Sequence, residues 1–286
     1  MERVLGLESP HKRASLCNPC LMRRVLFWFA FLFVSVTLFS QTLKIATFNM
    51  ERVGDSPKKN YDALAQIVQR FDIVGCINFI APIGIADIMK HMGNEWKSFV
   101  TGQQTGTNLS KEYYAYIWKS GKMRMAQSLG YFNDPKNTFV RKPYGAEFET
   151  SNSDFTLILV HITGNANKGE INHLGEVYNY FLDLVSGGNV ILGGDFNRTS
   201  KDAFANLMGT DDLDDAVGFA RKTTIDLHGL SSSDDHIFVN LFARNNIVNA
   251  GEYDYVPDLA AGDYPQARET ISDHLPVYIE LKIGTE

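Results

Sequence analysis

Residues 190–197 read VILGGDFN, an apolar run closed by two glycines, a carboxylate at Asp195 and an amide at Asn197. Glycine lets a backbone or a ligand come close. Alternate residues of an extended chain share a face, so Asp195 and Asn197 are set on the same side. The run reads as a buried strand that delivers polar groups at its tip. The same punctuation recurs along the chain. IATFN ends at Asn49, FDIVGCINFI (71–80) carries Asn78 near its end, and LILVH ends at His161. SSSDDH supplies Asp234, Asp235 and His236, and ISDHLPV supplies Asp273 and His274. Any one of these is most simply a turn residue or a structural histidine. Gathered on one rim, they would surround a common pocket with Asp, Asn and His.

From Leu43 onward, strand-like runs alternate with helical ones. LKIATFNM, DIVGCINFI, YYAYIWKS, TLILVHIT, NVILGGDF, DHIFVN and LPVYIEL are rich in β-branched and aromatic residues and bounded by turn formers. YDALAQIVQRF places Leu64, Ile67, Val68 and Phe71 on one helical stripe. EINHLGEVYNYFLDLV does the same through Leu174, Val177, Tyr178, Phe181, Leu182 and Val185. Strands that are apolar throughout need cover on both faces. The expected class is therefore α+β, with two sheets packed face to face and helices outside. No repeat or linker interrupts residues 41–286, which are expected to form one domain.

The 286 residues are 44% hydrophobic and 21% charged, an ordinary globular balance, and carry a net charge of −6. That charge argues against nucleic-acid binding by bulk electrostatics, but not against an enzyme whose site clusters carboxylates. MRRVLFWFAFLFVSVTLFSQ, from Met22, joins two arginines to an apolar run too short for a comfortable membrane span. It reads as a secretory signal cut near Ser40, with an uncleaved anchor as the alternative, and implies a secreted or periplasmic protein. Residues 1–40 hold five basic and two acidic residues, so the remainder carries −9. Cys17 and Cys20 leave with that segment, and Cys76 stays alone in an apolar strand as an expected inert core thiol.

Attack on a phosphodiester calls for such a collection of strand-tip residues. A hard divalent cation prefers carboxylate and amide oxygens and offsets charge on the phosphoryl group. A histidine held by a carboxylate activates water, and a second group stabilises the leaving side.

In this set of motifs the sequence resembles the endonuclease/exonuclease/phosphatase superfamily, and within it secreted deoxyribonuclease I-like enzymes. The likeness runs from about Leu43 to Leu281. LKIATFNMERVG is similar to the family's opening strand, SKEYYAYIWKSGKM to its Lys-Glu-Arg-Tyr segment and VRKPYGAEF to its Arg-x-Pro strand. LILVHITG, VILGGDFN, DDHIFV and ISDHLPV follow in the family's order. The resemblance implies a four-layer αββα sandwich of two mostly antiparallel sheets. It implies a secreted phosphodiesterase, most simply a DNA endonuclease, that uses Mg2+ or Mn2+, with Ca2+ as a further candidate. His274 would be the general base, oriented by Asp235, and His161, supported by Glu112, would contact the scissile phosphate or its leaving side. Asp195 and Asn197 would position nucleophile and phosphate, and Arg141 would contact a backbone phosphate. Asn49, Asn78 and Asp273 would lie at the metal. Asp234 and His236 would help the turn beside Asp235. DNA is the expected partner and a monomer the expected state.

The pattern breaks at Asn78, where the family has a glutamate as its principal metal ligand. An amide offers a neutral oxygen, so a few kcal/mol of metal affinity are expected to be lost. Glu51 and Asp55 are the nearby carboxylates that could supply the missing charge. The groove-entering arginine and stacking tyrosine of the pancreatic enzymes are replaced by Ile80 and Ser110, which lowers the expected grip on duplex DNA. Two alternatives follow: a phospholipid or other phosphoester hydrolase, suggested by FIAPIGIADIM, and a catalytically impaired binding protein, suggested by Asn78.

Overall fold

Leu43 and Ile45 of the first strand pack on one side of its sheet and Ala46 and Phe48 on the other, and all four are buried. Cover on both faces is why the run is apolar without alternation. The computed structural model describes residues 41–283, apart from 109–110, 165–167, 186–188 and 211–212. The signal expected over 1–40 and Ser110 lie outside the described residues.

Among the described residues, twelve strands form two sheets. The strands are β1 (Gln41–Val53), β2 (Ile73–Phe79), β3 (Trp96–Val100), β4 (Tyr113–Lys119), β5 (Met123–Tyr131) and β6 (Tyr144–Thr150). The second half of the chain adds β7 (Asp154–His161), β8 (Asn189–Asp195), β9 (Asp214–Asp215), β10 (Asp235–Val239), β11 (Ile247–Glu252) and β12 (Val277–Ile283). One sheet runs β11-β12-β1-β2-β4-β3 and the other β5-β6-β7-β8-β10-β9. The pairs β1–β2 and β7–β8 are parallel and the other pairs antiparallel. The helices are α1 (Tyr61–Val68), α2 (Ile83–Met89), α3 (Lys168–Asn172), α4 (Leu174–Leu184), α5 (Ala205–Met208), α6 (Leu241–Asn245), α7 (Val256–Leu259) and α8 (Tyr264–Thr270).

Three apolar clusters separate the four layers. Leu43, Ile45, Tyr116, Phe148, Leu157 and Ile191 fill the space between the sheets. Leu64, Ile67, Ile85, Ile88 and Ala267 close the outer face of the first sheet, and Leu174, Val177, Phe181 and Leu207 that of the second. The expected αββα sandwich is the observed one. In the described residues no helix is long and apolar enough to cross a membrane.

The stripe of α1 is buried as expected, under an Asn60 cap whose Oδ1 accepts from the Ala63 N–H at 3.0 Å. The stripe from Glu170 to Val185 breaks in two at His173. The first piece, α3, sets a buried Glu170 against Thr163 and the Val140 N–H, a polar duty that the apolar spacing does not signal. The seven expected strands form. The strand that the resemblance implies within VRKPYGAEF forms as β6, and β3, β5, β9 and β11 carried no sequence signal. The edge strand β5 is largely exposed, so it carries no apolar run.

The two glycines of VILGGDFN serve close backbone and sheet contacts. Gly194 has a φ of 143°, and a Cβ there would sit 2.0 Å from the carbonyl oxygen of Val160 on β7. At Gly193 a Cβ would meet Thr47 of the facing sheet at 2.8 Å. Gly194→Ala is therefore expected to destabilise the fold by more than ~3 kcal/mol. Chemical denaturation would show it, and a loss below ~1 kcal/mol would mean that β7 and β8 can separate at no cost.

Candidate active site

Parallel pairing places the C-terminal tips of β1 and β2, and of β7 and β8, at common edges. Asn49 Nδ2 donates to Asp195 Oδ2 at 2.8 Å and joins the two sheets there. In the register of the second sheet, His161 and Asp235 both lie opposite Asp195. The loop before β12 brings in Asp273 and His274. A cavity of about 430 Å3 opens at this rim, bordered by Asn49, Asn78, Arg141, His161, Asp195, Asn197, Asp273 and His274. Glu112 and Asp235 stand behind it as partners of the histidines. All ten sequence-derived residues thus meet in one place.

Two carboxylate–histidine pairs face each other across Asp195. His161 Nδ1 lies 2.9 and 2.8 Å from the two oxygens of Glu112, and His274 Nδ1 is 2.9 Å from Asp235 Oδ2. Each ring turns its Nε2 toward Asp195 Oδ2, at 3.6 Å in both cases. That is too long for a hydrogen bond, so both Nε2 atoms remain available. Burial alone would lower His274, but Asp235 and then Asp195 outweigh it and push its pKa up to about 10. Burial raises the Asp195 carboxyl, while the two histidines pull it back.

Asp195, Asp235 and His274 offer ligand atoms within 4.8 Å of one another. A histidine whose Nδ1 is spent on Asp235 and which holds its proton so firmly suits proton transfer better than metal ligation. A larger cavity of about 690 Å3, bordered by Gln103, Gln104, Tyr131 and Lys142, contains no acid–histidine pair.

Supporting residues that the motifs did not single out fix these groups. Thr223 Oγ1 donates to Asp235 Oδ2 at 2.8 Å and accepts the N–H of Asp234 and Asp235. Ser272 Oγ donates to the Asn49 carbonyl at 2.7 Å, and Tyr255 Oη donates to the carbonyls of Ser272 and His274. Ser and Thr at such places are indistinguishable by type from loop residues. Arg141 Nε donates to Glu112 Oε2 at 3.0 Å, and the side chain is only 13% exposed. It stands at the cavity and braces Glu112 at the same time.

Both β1 and β2 break their alternation at the rim. Met50 and Val53 of β1 both pack in the helix-side core, and so do Cys76 and Phe79 of β2. Each strand carries a register shift at that point. Such bulges re-aim side chains. Asn78 has a φ of 60°, which asparagine adopts readily, whereas Glu51 and Arg52, at 44° and 57°, are in a costly conformation. Asn78 would otherwise face the helices. The bulge turns it to Asn49, where its Nδ2 donates to Oδ1 at 3.0 Å. Glu51 and Arg52 border the same cavity. Burial raises the Glu51 carboxyl and Asp273 raises it further, while Lys59 opposes both.

Three expectations are corrected. Asp55 pairs with Arg52 at the surface and does not reach the cavity. His236 is no turn residue: it is fully buried among Phe196, Phe204, Phe219 and Phe238 and paired with Asp215. The apolar FIAPIGIADIM contributes only Ile83 to the large exposed hydrophobics, and Ile85 and Ile88 are core.

No family model matches the chain. A deoxyribonuclease of Thioalkalivibrio sp. (strain K90mix) is 25% identical over 269 residues, 85% of this chain and 72% of the relative. Human deoxyribonuclease-1-like 1 is 25% identical over 273 residues, 89% of each chain. The crystal structure of an endonuclease/exonuclease/phosphatase family protein from Bacteroides thetaiotaomicron superposes with a TM-score of 0.65 at 19% identity. It covers 86% of this chain and 99% of that one. In sequence and in fold the chain is similar to deoxyribonuclease I-like proteins of the endonuclease/exonuclease/phosphatase superfamily. Within that superfamily fold, its acid–histidine pairs occupy the rim where both sheets present their strand tips.

Proposed function

We propose that this protein hydrolyses phosphodiester bonds with the help of a divalent cation, and that its substrate is DNA. The observation that carries the reading is the pair of histidines, each tied through Nδ1 to a buried carboxylate and each turning Nε2 toward Asp195. DNA follows from the deoxyribonuclease names of the relatives.

His274 Nε2 takes a proton from the attacking water, and Asp235 stabilises the imidazolium that forms. The water oxygen bonds to phosphorus as the bond to the leaving oxygen breaks. His161, oriented by Glu112, returns a proton to that oxygen, so one hydroxyl and one phosphomonoester result. Arg141 offsets phosphate charge, and Asn197 is fixed beside it by bonds to the Asp195 carboxylate and the Ile162 carbonyl. The oxygens of Asn78 and Asp273 would hold Mg2+ or Mn2+, and Asn49 would position Asn78 beside it. Bound there, the cation would offset phosphoryl charge and the charge of Asp273, and so favour the neutral, proton-accepting form of His274.

Plasmid nicking tests the reading. The protein is expected to cut in Mg2+ or Mn2+ and to stop in excess chelator. Full cutting in chelator would sink the cation's part. Asn78 supports a second reading, an intact proton-transfer pair with weak cation affinity and mainly a binding role. That reading moves ahead if only Asn78→Glu cuts, and phospholipids become the substrate to test if neither does.

A further inference from the structure

Glu51 places on the cavity wall a carboxylate that the proton-transfer steps do not use. We propose that Glu51 is the anionic ligand of the divalent cation in this chain, supplying the charge that Asn78 lacks, with Asp273 and the Asn78 amide oxygen beside it. The inference rests on the cation-assisted reading above and says which residues carry it.

Donor by donor, the expected set is short of charge. Asn49 Oδ1 already accepts the Glu51 N–H and the Asn78 amide, each at 3.0 Å, which uses both of its lone pairs. Asn78 is neutral, and Asp273 faces Arg268 Nη2 at 3.6 Å with one oxygen. A hard cation held by one carboxylate and one amide is poorly held.

Glu51 meets the need by position. It borders the cavity together with Asn49, Asn78 and Asp273. The coincident bulges of the neighbouring parallel strands put it beside Asn78, and Asn49 Oδ1 ties the Glu51 backbone to the Asn78 side chain. Its other face is fixed: Lys59 Nζ, anchored on the Ile271 carbonyl at 2.8 Å, lies 3.3 Å from Oε2. Among the described residues no hydrogen bond to Oε1 is present, so one oxygen is directed by a buried lysine while the other stays open. Asp55, the rival carboxylate, does not border the cavity.

The test is Mn2+ binding to the full chain, followed by electron paramagnetic resonance of the free ion, with no substrate present. Glu51→Gln is expected to weaken binding about ten-fold or more. Adding Asn78→Glu to that variant returns a carboxylate to the neighbouring position and is expected to restore much of it. Glu51→Asp keeps the charge facing Lys59 but shortens its reach, and it is expected to weaken binding too; it serves if the Gln variant does not fold. Unchanged binding in Glu51→Gln or a folded Glu51→Asp overturns this inference and leaves the cation-assisted reading standing. Failure of the parent chain to bind Mn2+ overturns both.

Discussion

His274→Ala is expected to cut the plasmid-nicking rate about 10^3-fold, the usual scale for losing a positioned acid–base group. The reason lies in what surrounds the ring. Asp235 fixes its Nδ1 at 2.9 Å, and Nε2 is left facing the cavity 3.6 Å from Asp195 and 3.7 Å from Asp273. No other described side chain pairs with Asp235 in that way, so nothing takes over the proton. Removing the ring also leaves two buried carboxylates, Asp195 and Asp235, facing each other without a cation between them. Thermal melting must therefore accompany the rates, and His274→Gln, which keeps volume and polarity, separates lost chemistry from lost fold. His161→Ala is expected to fall by a similar factor, since Glu112 orients it in the same manner. Full activity in both variants would mean that the reaction happens elsewhere.

Breaking the third buried acid–histidine pair, His236–Asp215, is expected to cost stability first. His236 and Asp215 have side chains 0% and 1% exposed, and His236 Nδ1 is 2.9 Å from Asp215 Oδ2. Its Nε2 donates to the Arg198 carbonyl at 3.0 Å. With an acceptor at each nitrogen, the ring carries both protons and faces the Asp215 carboxylate. Asp215→Asn strands the imidazolium and is expected to cost ~3–5 kcal/mol, whereas replacing both partners with apolar residues costs less. A double variant as unstable as the single one would count against the ion pair. Burial lowers the histidine, but the Asp215 bond and charge outweigh it, and the net shift is upward from 6.5. A raised folded value stabilises fully below pH 6.5 and loses that contribution as pH climbs through the folded value. Denaturation midpoints of the parent chain should therefore fall over that alkaline window, and those of the double variant should lack this component. Because Arg198 follows Asn197, the same break loosens the turn at the active site.

The strand tips were legible because their chemistry contradicts their surroundings. A carboxylate or imidazole at the edge of an apolar run, as at Asp195 and His161 after one and His274 before one, has no packing reason to be there. The sandwich was legible for the complementary reason: runs such as NVILGGDF can be stable only with cover on both faces. The alternation of Leu43 and Ile45 with Ala46 and Phe48, and the stripes of α1 and α4, are local properties of a chain that must hide apolar area.

Long-range pairing decided the rest, because it depends on residues far apart meeting at set distances. Asp215 looks like any loop acid until β9 docks beside β10 and sets it against His236. Thr223 and Ser272 are ordinary hydroxyls until their strands and loops bring them to Asp235 and Asn49. Alternation alone would turn Asn78 away from the cavity, and the register of β2 against β4 inserts the bulge that turns it back. The bulge at the end of β1 likewise puts Glu51, not Asp55, on the cavity wall. Composition and period select the residues that must be buried or polar, and they act within one strand or helix. Which oxygen faces which proton is set only when two sheets close on each other.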